Sequence, residues 1–339
     1  MHVELVVPAL FQARAAAPAL QLLLARGRRS SGSPVALETW YGEAFGLGEI
    51  PFPAGALTAL ACGQDPGSGD WLRADPVHLR ADRDRLVLIP SAGFEVSADE
   101  ARQLCEELNR NFSDRFALHA LAPGYWGLRA KTAMALQSRP PIEIAGRNVD
   151  AELPDKRWHA LLNEIQMALY RHPVNTARDA RGDPVINSVW LWGAGRLPDE
   201  GQTRRASRWQ SLIADDPVAI GLAKLAGLRH CAPGPGAAPW LERAPGEGRH
   251  LVVLDGLRGA LALGDADVLA ERLHALEVDW FVPLLAALRA GRAGMLTVHV
   301  PDAGASFETV RGDLHRFWRR PRPLADYGKD HARAMGREA

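Results

Sequence analysis

The stretch HLVVLDG at residues 250–256 begins with an apolar run typical of a buried strand and ends at an Asp-Gly turn. Downstream, residues 265–276 and 280–288 show helical patterns, and MLTVHV at residues 295–300 is a second apolar strand. A strand, helices and another strand in this order are typical of a parallel sheet covered by helices. These residues therefore predict an α/β fold with a mostly parallel sheet.

The regions on either side extend the same alternation of strands and helices. Residues 185–192 form a buried-looking strand that is expected to stop at Gly193-Ala194-Gly195. The other predicted elements of this core are a strand at 4–7, helices at 15–25, 37–45, 54–61 and 216–225, and a Pro/Gly-rich loop at 232–248.

The middle of the chain has a different character. Residues 71–79 and 85–89 are predicted strands of a hairpin around Asp82-Arg83-Asp84, and two further strands are expected at 115–120 and 125–129. A capping box at Ser97–Glu100 precedes a helix whose apolar stripe consists of Ala101, Leu104, Cys105, Leu108 and Phe112. A second helix over 158–169 is expected to end near His172-Pro173.

The predicted organisation is a discontinuous core with an insertion. Residues 63–69 are rich in Gly, Asp, Pro and Ser, which marks a boundary. We therefore expect an α/β core over 1–70 and 185–325, an inserted α+β domain over 71–184, and a tail over 326–339.

Composition sets limits on function. Of the 339 residues, 47 % are hydrophobic, which is enough for a substantial core. Lys+Arg and Asp+Glu both number 40, so the basic surplus expected of a nucleic-acid-binding protein is missing. The three cysteines are far apart and form no Cys-x-x-Cys pair, which argues against disulfides and a cysteine zinc site. No apolar run reaches the length of a membrane span, so a cytoplasmic location away from membranes is predicted.

Three polar residues follow predicted parallel strands, where α/β proteins bind ligands. They are Asp255, His299 and Asp302, which could converge as an acid/base or metal-binding set. In the structural alternative, Asp255 caps a turn and His299 is a satisfied core or surface histidine. The chain has no Gly-x-Ser-x-Gly elbow, so nothing in the sequence supports a serine hydrolase.

Gly193, Gly195 and Arg196 form a second candidate site, for a small anion. Backbone N–H groups beside the glycines and the guanidinium could meet such a ligand. The segment lacks the remaining glycines and lysine of nucleotide-binding loops, and the alternative is that its glycines only form a turn.

The one local excess of positive charge is RFWRRPR at residues 316–322. Trp318, Arg319 and Arg320 could bind a protein partner, because Trp and Arg often anchor interfaces, and the positive charge could instead bind an anion or RNA. The alternative is a solvated cationic edge with Phe317 and Trp318 packed into the core.

The segment from His172-Pro173-Val174-Asn175 through Arg178 to Trp190-Leu191-Trp192-Gly193-Ala194-Gly195-Arg196 resembles the archaeal-type cofactor-independent phosphoglycerate mutases. These enzymes belong to the alkaline phosphatase superfamily, and the similarity is good over about residues 72–200. The resemblance implies an alkaline-phosphatase-like core with an inserted domain, and it adds Asn175 and Arg178 as ligand-binding candidates.

The departures from this family concern its two-metal centre. The chain opens Leu5-Val6-Val7-Pro8-Ala9-Leu10, without the family's metal-binding Asp and nucleophile segment. Val253–Leu257 and Thr297–Pro301 stand where the family has Asp/His metal motifs. Because two metals need several carboxylates and imidazoles, we expect no metal cofactor.

Over its whole length the chain resembles the RpfE-type regulatory proteins, through its Leu5-Val6-Val7-Pro8 opening, the 190–195 strand and the 316–324 segment. The leading hypothesis is a non-catalytic phosphoglycerate-mutase-like protein with a regulatory or binding role. The alternative is an active phosphomutase or phosphatase with a rearranged manganese or zinc site at Asp255, His299 and Asp302.

Overall fold

The computed structural model describes residues 1–48, 51–82, 85–132, 134, 136, 138–152, 156–243 and 247–334, without the side chains of 150 and 330–334. These residues form two compact units. The larger unit comprises Met1–Gly46 and Gly201–Ala339, and the smaller unit comprises Leu47–Glu200. The smaller unit thus interrupts the larger one along the chain. Its boundaries lie outside the expected 71–184, because the helix Ala54–Ala61 and the strand Ser188–Gly195 pack on its strands.

The larger unit is built on a seven-stranded sheet in the order β2-β12-β11-β1-β10-β8-β9. From β11 to β9 all neighbours are parallel, and β12 and β2 form an antiparallel edge. This confirms the predicted mostly parallel α/β sheet. The strands are β1 (His2–Val6), β2 (Arg28–Ser31), β8 (Ser211–Ile213), β9 (Arg229–Cys231), β10 (Arg249–Val253), β11 (Met295–Val300) and β12 (Ala305–Val310).

Helices connect these strands in the way that parallel pairing requires. They are α1 (Pro18–Arg26), α2 (Leu37–Ala44), α9 (Pro217–Ala226), α10 (Ala237–Arg243), α11 (Gly256–Leu263), α12 (Ala266–Leu276), α13 (Val282–Arg289) and α14 (Leu324–Ala334). A π-helical turn at Glu277–Phe281 joins α12 to α13, and α8 (Glu200–Ala206) begins at the last residue of the smaller unit.

The two faces of the large sheet differ in polarity. Val3 and Leu5 of β1 belong to the main apolar core of the larger unit, together with side chains of α1, α12 and α13. Because side chains alternate along a strand, Glu4 points to the opposite face of the sheet. The expected apolar strand at residues 4–7 is therefore the two-faced strand β1, which carries a buried carboxylate in its middle.

Two expectations for the larger unit are wrong. The loop predicted over 232–248 contains helix α10, because residues 237–243 complete two helical turns between its glycines. The predicted tail begins inside α14, where Leu324 and Tyr327 are buried and the Tyr327 ring stacks on Phe11. A helix with one apolar face folds onto the core rather than staying in solvent.

The smaller unit is an antiparallel sheet with helices, as expected for an α+β domain. Strands follow the order β4-β3-β6-β5, with β7 pairing to β3. They are β3 (Trp71–Asp82), β4 (Arg85–Pro90), β5 (Phe116–Ala122), β6 (Tyr125–Ala130) and β7 (Ser188–Gly195); residues 83–84 of the predicted hairpin turn lie outside the described residues. Its helices are α3 (Ala54–Ala61), α4 (Ala98–Phe112), α5 (Pro141–Ile144), α6 (Lys156–Leu169) and α7 (Pro173–Arg181).

The predicted apolar periodicity is confirmed in α4 and α6, and the predicted capping is confirmed in α4. Ser97 accepts a hydrogen bond from the Glu100 backbone and the Glu100 carboxylate accepts one from the Ser97 backbone, which completes the predicted capping box. The predicted stripe of α4, including Cys105, is buried. Helix α7 was not expected; it begins at Pro173, because a proline at the first helical position needs no N–H partner.

Strand β7 differs from the prediction in extent and in partner. It runs through Gly193 to Gly195 instead of stopping there, and it pairs antiparallel with β3 of the smaller unit. The rule that ligands bind at the carboxyl ends of parallel strands therefore does not apply to Gly193 and Gly195.

Candidate functional site

Asp255, His299 and Asp302 lie at the carboxyl ends of β10 and β11 in the larger unit, as their strands predicted. Helix α2 contributes side chains to the same region, where Trp40 contacts the His299 ring and Tyr41 donates a hydrogen bond to Asp216. Asp302 and His299 have different hydrogen-bond partners, and Asp255 has acidic neighbours.

Asp302 holds the turn that follows β1. Its Oδ1 accepts a hydrogen bond from the Ala9 backbone N–H at 3.0 Å, and its Oδ2 accepts one from Gln12 Nε2 at 3.1 Å. Ala9 has a φ of +63°, a left-handed conformation that costs a non-glycine residue on the order of 1 kcal/mol. Both carboxylate oxygens of Asp302 therefore bind to the turn, which helps to stabilise the strained Ala9.

Asp255 stands among other acidic residues. It precedes α11 without making a side-chain cap hydrogen bond, so the expected capping role is not seen. Burial, and then the neighbouring carboxylate of Asp216, raise the pKa of Asp255 to about 7, while Arg258 opposes the shift. Asp216 itself caps α9 by accepting hydrogen bonds from the backbone N–H groups of Val218 and Ala219. A raised carboxyl pKa in a strand-end cluster is a feature of functional sites, although ion-pair networks produce it too.

We expect Asp255→Asn to stabilise the protein at pH 8. Folding raises the pKa of Asp255 from 3.8 to about 7, so the free energy of unfolding of the protein falls as pH rises through this interval. An amide does not titrate and removes this pH dependence. The gain should be at least about 1.4 kcal/mol, the equivalent of one pKa unit, and should vanish near pH 4. Urea unfolding at both pH values measures it, with the exposed Glu271→Gln as control. An Asp255→Asn variant that is equally destabilised at both pH values would contradict the prediction.

His299 is held between two side chains. Its Nδ1 lies 2.9 Å from Ser306 Oγ, and its Nε2 lies 3.4 Å from Glu4 Oε2. Its side chain is partly buried and lines a pocket of about 260 Å³. Other residues that line this pocket are Ser30, Ser31, Ser33, Trp40, Glu43 and Ser306.

Glu4 is the functional candidate that the sequence did not reveal. It is 1 % exposed, and its carboxylate accepts hydrogen bonds from Arg249 at 2.6 and 3.0 Å and from Arg208 at 2.8 Å. Burial opposes its ionisation, but hydrogen bonding with His299, the charge of Arg208 and the hydrogen bond from Arg249 outweigh it and lower the pKa of Glu4 to about 2. The signal was present in the alternating order of His2-Val3-Glu4-Leu5, in which an acidic residue occupies the face of the strand opposite to Val3 and Leu5.

Gly193, Gly195 and Arg196 lie in the smaller unit, where local packing accounts for them. A Cβ at Gly193 would lie 2.5 Å from the Ala54 Cβ, and one at Gly195 would lie 2.9 Å from the Pro53 Cβ. The Arg196 side chain is exposed and pairs with Asp70, with Nε 2.6 Å from Oδ1. The glycines thus allow α3 to approach β7 closely, and anion binding here stays a prediction.

We expect Gly193→Ala to destabilise the smaller unit by about 1–2 kcal/mol, because the new methyl group meets Ala54 and the φ of +60° is unfavourable for alanine. The pairing of Gly193→Ala with Ala54→Gly relieves the contact but leaves the backbone cost, so it should recover part of the loss. Thermal unfolding of the single and double variants measures both effects. Equal stabilities of wild type and Gly193→Ala would count against this close packing.

Asn175 and Arg178, the candidates from the resemblance, are buried within the smaller unit. Asn175 Nδ2 donates to the carbonyl oxygens of Leu169 and Ile186, and its Oδ1 accepts from the Ile186 backbone. Arg178 donates to Glu100 Oε2 at 2.9 Å and to two carbonyl oxygens, those of Glu95 and Pro184. Their polar atoms thus join α6, α7, the segment that precedes β7 and the start of α4, and a ligand-binding role stays a prediction.

The segment over residues 316–322 is named here the aromatic–arginine surface. The expectation that its aromatic side chains pack into the core is wrong, since Phe317 is 77 % and Trp318 66 % exposed. Their rings contact each other edge to face at 5.3 Å. Arg316 and Arg319 donate hydrogen bonds to the carbonyl oxygens of Arg26 and Gly27, which ties the segment to the end of α1 and leaves the rings in solvent.

Comparison with known proteins identifies relatives of one kind. Over 186 residues the chain is 29 % identical to a probable 2,3-bisphosphoglycerate-independent phosphoglycerate mutase of Geobacter sulfurreducens, covering 52 % of this chain and 45 % of that protein. Over 146 residues it is 31 % identical to a 2,3-bisphosphoglycerate-independent phosphoglycerate mutase of Methanosarcina mazei, covering 38 % and 35 %. The chain is similar to cofactor-independent phosphoglycerate mutases. The matches span less than half the length of these relatives, and no family model matches the chain.

A solved structure supports the fold. The PH0037 protein from Pyrococcus horikoshii aligns with all of this chain and with 98 % of its own, at a TM-score of 0.53 and 14 % identity. At that identity the likeness concerns the fold alone. Within the described ranges, no helix has the length and apolar character needed to cross a bilayer.

The resemblance to cofactor-independent phosphoglycerate mutases implies a site for two metal ions, which the side chains of the described residues do not fit. In the part of the chain that the structure describes, no three His, Cys, Asp or Glu side chains are grouped so as to hold a metal ion. Asp302 binds the Ala9 turn, and both nitrogens of His299 have protein partners. Among charged neighbours, Asp216 and Arg258 have the largest effects on the pKa of Asp255, in opposite directions.

Proposed function

We propose that this chain is a phosphoglycerate-mutase-like protein that does not catalyse metal-dependent phosphoryl transfer and that acts in the cytoplasm as a regulatory or binding protein. The observation that supports the proposal is that the candidate ligands have different protein partners. Asp302 binds the turn at Ala9, His299 lies between Ser306 and Glu4, and Asp255 lies among acidic residues. A bimetallic centre requires several carboxylates and imidazoles around both ions, which this arrangement does not offer.

The test is a pair of assays on the purified chain, one for phosphoglycerate mutase activity and one for phosphatase activity, each with added Mn²⁺ or Zn²⁺. We expect no turnover above that of protein-free controls. Turnover that Asp255→Asn or His299→Gln abolishes would overturn the proposal, and so would stoichiometric zinc or manganese in the purified protein.

Either result would favour the alternative of an active metal-dependent phosphomutase or phosphatase with a rearranged site. One observation supports that alternative, namely the raised pKa of Asp255 beside Asp216. A divalent ion would favour the ionised carboxylate, so metal binding at this place would appear as proton release when the metal is added.

The aromatic–arginine surface supports the binding role. The exposed rings of Phe317 and Trp318 contact each other, and four arginines flank them in the sequence without an acidic residue between positions 316 and 322. Exposed Trp and Arg are the side chains that most often anchor protein interfaces. We propose that this surface binds an acidic surface of a protein partner, whereas no nucleic-acid partner and no membrane are expected.

A comparison of captured proteins tests this part of the proposal. The tagged wild-type chain is expected to retain a partner that the double variant Arg319→Glu plus Arg320→Glu loses. The matched control changes Arg102 and Arg110, exposed arginines of α4, to glutamate and should retain it. Equal capture by all three proteins would rule out this surface as the binding site.

A further inference from the structure

Three polar side chains line up across neighbouring strands of the larger unit. Val6 of β1 pairs with His299 of β11, and His299 pairs directly with Ser306 of β12. Paired residues point to the same face of a sheet, and so do residues two positions apart on one strand. Glu4, His299 and Ser306 therefore share one face by register alone.

The contacts assign a role to each group. Glu4, with a pKa lowered to about 2, is an ionised carboxylate that can only accept hydrogen bonds. The imidazole Nε2, 3.4 Å from Glu4 Oε2, is then the nitrogen that carries the hydrogen, and Nδ1 is left as an acceptor. Ser306 Oγ, 2.9 Å from Nδ1, donates its hydrogen to the imidazole. A hydroxyl bonded to a base that a third group orients is the arrangement of an activated nucleophile.

A second serine–histidine pair in the same unit differs from this one in its burial and in the partners of its imidazole. Ser211 Oγ lies 2.8 Å from His250 Nδ1, but both residues are fully buried and His250 Nε2 has no hydrogen-bond partner. Ser306 and His299, in contrast, line the pocket of about 260 Å³, and His299 has a carboxylate behind it.

We propose that Ser306 is an activated hydroxyl that accepts an acyl group from a small activated ester in this pocket, with His299 as the base and Glu4 as its positioning residue. In this step a bond forms between Ser306 Oγ and the acyl carbon while the bond from that carbon to the leaving oxygen breaks. The Ser306 proton passes to His299 Nδ1 and then to the leaving oxygen, which departs as an alcohol. This step needs no metal ion, and it would be an activity in addition to the proposed regulatory or binding role.

The pocket also selects the charge of the ester. Among the described residues that line it, Glu43 is acidic and none is Lys or Arg. A phosphate ester would find no counter-charge there, whereas serine hydroxyls and the Trp40 ring suit a small neutral ester. The expected substrate class is therefore a neutral carboxylic ester, which separates this site from phosphoryl chemistry.

The experiment treats the whole chain with p-nitrophenyl acetate in the presence of a metal chelator and locates the adduct by peptide mass spectrometry. Acetylation of Ser306 is expected in the wild type and in Ser113→Ala, which changes an exposed serine of the smaller unit that does not line the pocket. Ser306→Ala should remove the adduct at this position, and His299→Gln should slow its formation by about 100-fold or more. Ser306→Cys keeps an acceptor atom and should restore acylation, which covers the case that the alanine variant does not fold.

Two results would overturn the inference. One is a wild-type protein acetylated elsewhere, His299 included, with Ser306 unmodified. The other is Ser306 acetylation at the wild-type rate in folded His299→Gln. Because a chelator is present, neither result depends on the metal assays that test the proposed function.

Discussion

Replacing Arg73 with methionine is expected to lower the free energy of unfolding of the smaller unit by about 3–5 kcal/mol, the cost of leaving a buried charge without its partner. Arg73 and Asp75 of β3 are each only 3 % exposed. Arg73 Nε lies 2.8 Å and Nη2 2.5 Å from Asp75 Oδ1, and Trp192 Nε1 donates to Oδ2 at 2.7 Å.

The physical reason is the asymmetry between a complete and a broken buried ion pair. With Arg73 present, its guanidinium also donates to Thr58 Oγ1 and lies 4.6 Å from the centre of the Tyr125 ring. Without it, the Asp75 carboxylate must stay ionised in an apolar environment or take up a proton. The double change Arg73→Met plus Asp75→Leu removes both charges, so we expect it to cost less than Arg73→Met alone.

Urea unfolding followed by tryptophan fluorescence measures these differences. The matched control is Arg102→Met on α4, whose side chain is 56 % exposed and pairs with Asp99 and Glu106. An exposed ion pair contributes about 1 kcal/mol or less, so the control should change little. If Arg73→Met costs no more than Arg102→Met, the pair does not stabilise the unit as its burial implies.

The sequence predicted the elements that depend on local pattern. Apolar spacing located α4 and α6, the Ser97 and Glu100 side chains marked a helix start, and the alternation of strands with helices indicated the parallel sheet. It failed where a long-range partner decides the outcome. Strand β7 was assigned to the larger core, because nothing near residue 190 indicates that it pairs with residues 71–77.

The positions of the candidate residues along the chain could be predicted, but their contacts could not. That Asp255, His299 and Asp302 follow parallel strands could be predicted, since each stands directly after or near the end of an apolar run. What each side chain does could not, because Asp302 binds a turn 293 residues away and His299 contacts a carboxylate 295 residues away. The same distance along the chain hid Glu4, which lies in a strand that local composition presents as apolar.

Glu4→Gln is expected to lower the stability of the larger unit at pH 7 by about 2 kcal/mol. The pKa of Glu4 falls from 4.5 to about 2 on folding, which corresponds to about 3 kcal/mol as an upper bound. Arg208 and Arg249 are 49 % and 43 % exposed, so solvent screens part of their attraction and the smaller figure is expected. An amide also leaves both guanidinium groups without the charge that holds them over β1.

The pH dependence of stability is the most specific test of the role of Glu4. A carboxylate with a lowered pKa stabilises the fold above its unfolded pKa, and the stabilisation disappears as pH falls through the folded pKa. The wild type should therefore lose stability between pH 4.5 and about pH 2, and Glu4→Gln should lose less over this interval. The control Glu43→Gln, an exposed carboxylate of the same unit, should follow the wild type. Parallel stability curves for all three proteins would mean that Glu4 is not held by its arginine and histidine neighbours, and the base at His299 would then lack the charge that orients it.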